Sequence, residues 1–183
     1  IGRGQRPQPL PPGPIAVDRV VREGDVIAVD AIAYQVLETP GHSDCSLSFY
    51  EPGEKILIIS DATGYYMPQN GTWWPNYFAD YGQYLGSIER LAELDAEILC
   101  LSHNALVRGA ALIRAYFADA LAATRRYHER ILAEAKAGKS VRQIAEQLGT
   151  EIHRETPLMP LEFFQKNCGV LVKKSLQHEG PSP

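Results

Sequence analysis

Leu37-Glu38-Thr39-Pro40-Gly41-His42-Ser43 decides how this chain is read. It has the pattern of a strand end running into a tight Pro-Gly turn, and the turn delivers one imidazole and one hydroxyl. Two later segments behave alike. Lys55-Ile56-Leu57-Ile58-Ile59 runs into Ser60-Asp61, and Glu97-Ile98-Leu99-Cys100-Leu101 runs into Ser102-His103. Each is a short apolar run that ends abruptly in a group able to bind metal. In layered α/β folds, loops at strand carboxyl ends converge over a rigid sheet, so these three groups are expected to meet.

Outward from these runs the chain alternates strands and helices. Val26 to Val29 and Ala33 to Glu38 read as strands joined by the turn at Asp30-Ala31. Ser46 to Tyr50 alternates as a half-buried strand does, and Glu51-Pro52-Gly53-Glu54 turns it into the next run, giving a hairpin. Ile56 to Ile59 does not alternate, which predicts a strand covered on both faces. Residues 62–81 carry Tyr65, Tyr66, Trp73, Trp74, Tyr77, Phe78 and Tyr81 between Pro68, Gly71 and Pro75, and read as a long ordered loop. Tyr84, Ile88, Leu91 and Leu94 mark an amphipathic helix leading into the strand at Ile98. After Ala105 the pattern is helical throughout. A long helix stops near Gly138, a second opens on the capping box Ser140/Gln143 and closes at Gly149, and a third starts near Pro160. The expected divisions are a proline-rich linker or loop over 1–14, an α/β region over 15–110 and a helical extension over 111–183.

The totals exclude several classes. The 183 residues carry a formal net charge of −4, which argues against nucleic-acid binding through a broad basic surface. No apolar run is long enough to span a membrane. Three widely spaced cysteines, Cys45, Cys100 and Cys168, suit a reducing, cytoplasmic setting better than a disulfide framework.

His42, Asp61 and His103 are imidazole, carboxylate and imidazole, a donor set suited to zinc, iron or manganese. Asp61 has two carboxylate oxygens and is therefore the residue able to bridge two ions about 3.5–4 Å apart. Taken singly, each of the three has an ordinary structural reading as a turn histidine, a cap and a core histidine. Their joint placement behind apolar strands favours a site.

Thr39-Pro40-Gly41-His42-Ser43, Ser60-Asp61 and Ser102-His103 resemble, in order and spacing, the third to fifth motifs of the metallo-β-lactamase fold superfamily. The resemblance covers roughly residues 20–109 and is nearest in flavour to its glyoxalase II-like branch. It implies an αββα sandwich, of which this chain holds about the second half followed by C-terminal helices. It implies two divalent metal ions, zinc first, with iron and manganese as alternatives. His42 would then be a ligand of the first ion, His103 of the second, and Asp61 the bridging and catalytic carboxylate. The implied activity is hydrolysis of an ester, thioester, lactone, amide or phosphodiester of a small substrate by a metal-bound hydroxide. The alternatives are an iron-dependent redox enzyme of the same fold and a non-catalytic binding or regulatory relative.

The superfamily's His-x-His-x-Asp-His motif is absent, and no histidine precedes His42. Each ion would have two protein ligands here, below the three usual in catalytic zinc sites. The expected partner is therefore an N-terminal half of the same protein or a complementary chain, with a homodimer as the alternative. Catalysis would need that half. Tyr65, Tyr66, Trp73 and Trp74 are the expected substrate-binding side chains. Lys139 to Gly149 resembles one helix of a helix-turn-helix unit, but Glu146, Glu151 and Glu155 oppose phosphate contact, so no nucleic-acid site is assigned. The C-terminal helices are expected to pack over the site or to form a dimer surface.

Overall fold

The computed structural model of the protein describes residues 16–103 and 105–180. The linker or loop expected over 1–14 lies outside the described residues. Four strands open the fold as an antiparallel meander: β1 (Val26–Val29), β2 (Ile32–Glu38), β3 (Leu47–Glu51) and β4 (Ile56–Ile58). The β3–β4 turn is held by the Glu51 carboxylate, which accepts from the backbone N–H of Gly53 at 2.9 Å and of Glu54 at 2.6 Å. A small hairpin of β5 (Tyr65–Met67) and β6 (Thr72–Trp74) follows, then helix α1 (Tyr81–Ala92). Asp80 caps α1 by accepting from the Gln83 N–H at 2.8 Å. Next, β7 (Ile98–Cys100) pairs parallel to β4 and β8 (Leu106–Arg108) closes that edge antiparallel, giving the sheet order β1-β2-β3-β4-β7-β8. Helices α2 (Ala110–Lys136), α3 (Val141–Glu155) and α4 (Leu161–His178) complete the chain. No helix among the described residues is long and apolar enough to cross a membrane.

Strand direction puts the three sequence segments together. β2 and β4 are both antiparallel to β3 and so run the same way, and β7 is parallel to β4. The carboxyl ends of β2, β4 and β7 therefore lie at one end of the sheet. His42, Asp61 and His103 follow those three ends.

The two faces of the sheet differ. Tyr50, Leu57, Leu99 and Val107 are cross-strand neighbours on one face, where Leu57 and Leu99 are fully buried in the main core and the other two pack against it. The opposite face carries the row Val36, Phe49, Ile58, Cys100, Leu106, flanked by Ile56 and Ile98. Of that row only Val36 is fully buried; Phe49, Ile58 and Cys100 are half-buried and Leu106 is exposed. The apolar run at β4 was expected to be covered on both faces. Among the described residues only one face meets the core, because the helices all belong to that side's cluster.

Three other expectations are corrected. Residues 62–81 hold a short 3₁₀ turn and the β5–β6 hairpin rather than irregular loop, with Gly71 at φ +66° in the turn after Asn70. The segment after Ala105 begins with β8 rather than helix, since pairing with β7 overrides its weak helical pattern. Helix α3 opens on the expected Ser140/Gln143 capping box but runs through Gly149 to Glu155. There the glycine serves close packing: a Cβ at 149 would fall 2.6 Å from the Gln165 backbone of α4. Absence of a side chain, not chain termination, is what that position requires.

Candidate metal centre

The His42 turn is clamped from several sides. Gly41 sits at φ +124°, and a Cβ there would fall 2.3 Å from the Tyr84 Cα, so only glycine lets the turn press onto α1. The Gly41 carbonyl accepts from the Ala79 and Asp80 N–H groups at 3.0 and 3.1 Å. Ser87 Oγ donates to the Pro40 carbonyl at 2.7 Å, and the buried Thr39 hydroxyl pairs with Ser48 Oγ at 3.0 Å. His42 Nδ1 lies 2.9 Å from the Asn76 carbonyl oxygen. A carbonyl only accepts, so Nδ1 carries a proton, and in the neutral ring the Nε2 lone pair is free. Tethering one ring nitrogen to a carbonyl is how metal-ligating histidines are oriented. Below this contact the Tyr84 hydroxyl accepts from the Asn76 N–H at 3.4 Å; complete burial pushes its pKa well up and keeps it a neutral phenol.

Asp61 opens the 3₁₀ turn Asp61–Thr63 directly after β4. Its Oδ2 faces His42 Nε2 at 3.8 Å, and its Oδ1 faces His103 Nε2 at 3.2 Å. Ser102 Oγ donates to Oδ1 at 3.1 Å. The carboxylate thus stands between two imidazoles, one for each oxygen. In the neutral Nδ1–H ring, His42 Nε2 presents its lone pair toward Asp61 Oδ2, so both atoms are donors that a cation can take. His103 is more open, 49% exposed against 26% for His42 and Asp61, with its ring 5.6 Å from that of Tyr65.

Among the described residues, no group of three or more His, Cys, Asp and Glu side chains converges as a single-ion site. The two observations agree once Asp61 is seen as the shared member. The three donors do not make up one complete ion site.

Beside the triad lies a cavity of about 300 Å³. Tyr65, Trp74 and Phe78 form one wall; Leu158, Met159 and Phe163, at and after the α3–α4 corner, form the other. The four expected substrate-binding aromatics divide. Tyr65 and Trp74 are cross-strand partners and line the cavity, whereas Tyr66 and Trp73 are partners on the opposite side of the hairpin. The rings of those two meet at a tilt with centroids 4.6 Å apart and pack against Tyr116 of α2. Strand alternation forces the split, because adjacent residues point to opposite faces. Asn76 and the α3–α4 corner are contributors that sequence patterns did not mark. Asn70-Gly71 between two aromatic runs was the available signal for the hairpin.

A carboxylate thus stands between two imidazoles at the strand ends of a mixed sheet. The profile of the metallo-beta-lactamase superfamily matches residues 2–103, more than half of the 183, and the chain belongs to that superfamily. Among solved structures, a metallo-beta-lactamase family protein from Thermus thermophilus is 23% identical with a TM-score of 0.61, covering 87% of this chain and 49% of its own. A beta-lactamase domain protein from Burkholderia ambifaria is 20% identical at TM-score 0.55, covering 88% and 48%. The stereoselective inverting sec-alkylsulfatase Pisa1 from Pseudomonas sp. is 17% identical at TM-score 0.56, covering 92% and 29%. These likenesses establish the fold. The chain spans about half or less of the length of each, and no comparison singles out the glyoxalase II-like branch.

Proposed function

We propose that this chain supplies the bridging carboxylate and one histidine per ion to a two-metal hydrolase site. The substrate is a small ester, thioester, lactone, amide or phosphodiester. The observation that carries the reading is Asp61, whose two oxygens face His42 Nε2 and His103 Nε2 separately. Divalent ions there, zinc first, would supply Lewis acidity and a water nucleophile at neutral pH. The chain's own residues set the geometry. The Asn76 carbonyl holds the His42 proton on Nδ1, Ser102 steadies one oxygen of Asp61, and the aromatic wall limits water around the scissile bond. In the reaction, the water oxygen bonds to the acyl or phosphoryl centre, the bond to the leaving group breaks, and the leaving group takes up a proton.

Two ligands per ion are too few for a catalytic zinc site. The proposal therefore includes a second β-layer, from the same protein or a complementary chain, that brings the remaining donors and covers the Phe49–Ile58–Cys100 row. A half-buried apolar row of this extent supports such a layer. Metal analysis of the intact protein tests the reading. About two equivalents of divalent metal are expected, falling to less than one in Asp61→Ala with loss of esterase activity. An intact protein that binds no divalent metal, or an Asp61→Ala variant with unchanged metal and turnover, overturns it.

A further inference from the structure

The cavity beside the triad has a chemistry of its own. Its walls are mainly apolar, with Trp74 and Phe78 on one side and Leu158, Met159, Phe163 and Phe164 on the other, and Asn76 and Thr156 among the polar residues beside them. No lysine or arginine is among the described residues lining it. Asn167 lines it too, with one side-chain N–H donated to the Phe163 carbonyl at 3.0 Å. The charged or metal-ligating groups in the lining are His42, Asp61 and His103, all at the triad end. The mouth is unusual for a surface: Leu158, Met159 and Phe163 are 73%, 46% and 41% exposed, three large apolar side chains left in water on one corner. Apolar groups clustered at the rim of a concave site mark a place that gains burial when filled.

We infer that this cavity holds the saturated aliphatic chain of a neutral substrate, with the chain's reactive end toward His42, Asp61 and His103. The class is an uncharged alkyl or acyl compound, not one bearing a carboxylate or phosphate along its tail. A charged tail would lose its hydration without meeting a countercharge. A methylene occupies about the volume of a water molecule, roughly 30 Å³ in the liquid, so the cavity accepts a chain of up to about ten carbons. Each methylene transferred from water to such a wall strengthens binding by about two- to fourfold. The orientation of the reactive end rests on the two-metal reading above. Binding of the chain does not.

The two tryptophans provide the test, since Trp74 lines the cavity and Trp73 lies on the other face of the same hairpin. Fluorescence of the intact protein is titrated with 6-bromohexanol, a heavy-atom quencher, and then with competing straight-chain alcohols and carboxylates. The expected result is quenching that survives in Trp73→Phe and disappears in Trp74→Phe. Competition by alcohols should strengthen about two- to fourfold per methylene and level off near ten carbons, and in chelator-treated protein carboxylates of equal length should be at least tenfold weaker. Phe163→Ala, at a half-exposed rim position, should weaken octanol several-fold while leaving the fold intact. Quenching that follows Trp73, affinity independent of chain length, or carboxylates binding the chelator-treated protein as well as alcohols each overturns the inference. A cavity sealed by another polypeptide gives no quenching with any bromoalcohol, which overturns it as well. Chelator treatment should leave octanol binding unchanged. Absence of metal with intact chain-length dependence would thus remove the hydrolase reading alone. Two equivalents of metal and cleavage of acetate esters without that dependence would remove this inference alone.

Discussion

Leu57 and Ile58 are adjacent in β4 and similar in size, yet one is fully buried in the core and the other half-buried on a face the core does not reach. The difference divides labour within one sheet. The face of Leu57, Leu99 and Tyr50 meets the helices and supplies stability. The face of Phe49, Ile58 and Cys100 is apolar without being covered to the same degree, and so carries information about what packs there. The candidate metal centre sits at the end of the sheet, where both faces meet the loops.

Truncation of the covered face is the largest expected effect. Leu57→Ala should cost about 2–5 kcal/mol in denaturant unfolding, as should Leu99→Ala. A loss below about 1 kcal/mol would mean that the helices do not press on that face. Gly149→Ala probes the helical layer itself. Alanine gains about 1 kcal/mol of helix propensity, but its Cβ would meet the Gln165 backbone at 2.6 Å, and overpacking of this kind costs about 1–3 kcal/mol. A net loss of up to about 2 kcal/mol is expected, because backbone cannot swing aside as a side-chain tip does. A stabilised Gly149→Ala protein would show that α3 and α4 do not approach so closely.

The same layer should give a pH dependence. His128 of α2 is buried, stacks on Tyr81 at 3.9 Å, and faces Glu179 at 3.3 Å and the ring of His178 at 5.8 Å. Burial lowers its pKa, outweighing the carboxylates of Glu179 and Glu129. Between the lowered folded pKa and the ordinary value near 6.5, the unfolded chain binds more protons. Stability should therefore fall as pH drops below about 6.5, and His128→Gln should flatten that slope. A slope of the opposite sign would mean that Glu179 holds the imidazole protonated in the fold.

The smallest effect belongs to the open face. Ile58→Ala should cost about 1 kcal/mol in this chain alone, since its side chain is already partly in water. If it costs as much as Leu57→Ala in the intact protein, a second layer covers it there and the contrast between the faces disappears on assembly.

Much of the site was written locally. The Pro40-Gly41 turn, the apolar runs before Asp61 and His103, and the capping box of α3 follow from residue chemistry within a few positions. The turn's demand for glycine at 41 is sharper in three dimensions, because Tyr84 of α1 lies directly against it. Other parts could not be read this way. Asn76, which fixes the His42 tautomer, is 34 residues distant. Leu158 and Met159 look in sequence like a break before Pro160, and become a cavity wall only when α4 folds back. Tyr65 and Tyr66 are indistinguishable as letters, yet hairpin register sends one toward the triad and the other toward α2.

The sequence by itself determined which groups can bind metal and that each follows a strand, since turn chemistry and hydrophobic periodicity are short-range. Tertiary structure decided that the three strands point the same way, which side of the hairpin faces the site, and that the C-terminal helices close one wall of it. Those outcomes depend on strand order, direction and register, which arise from burial of surfaces far apart in the chain. No local run of residues encodes them.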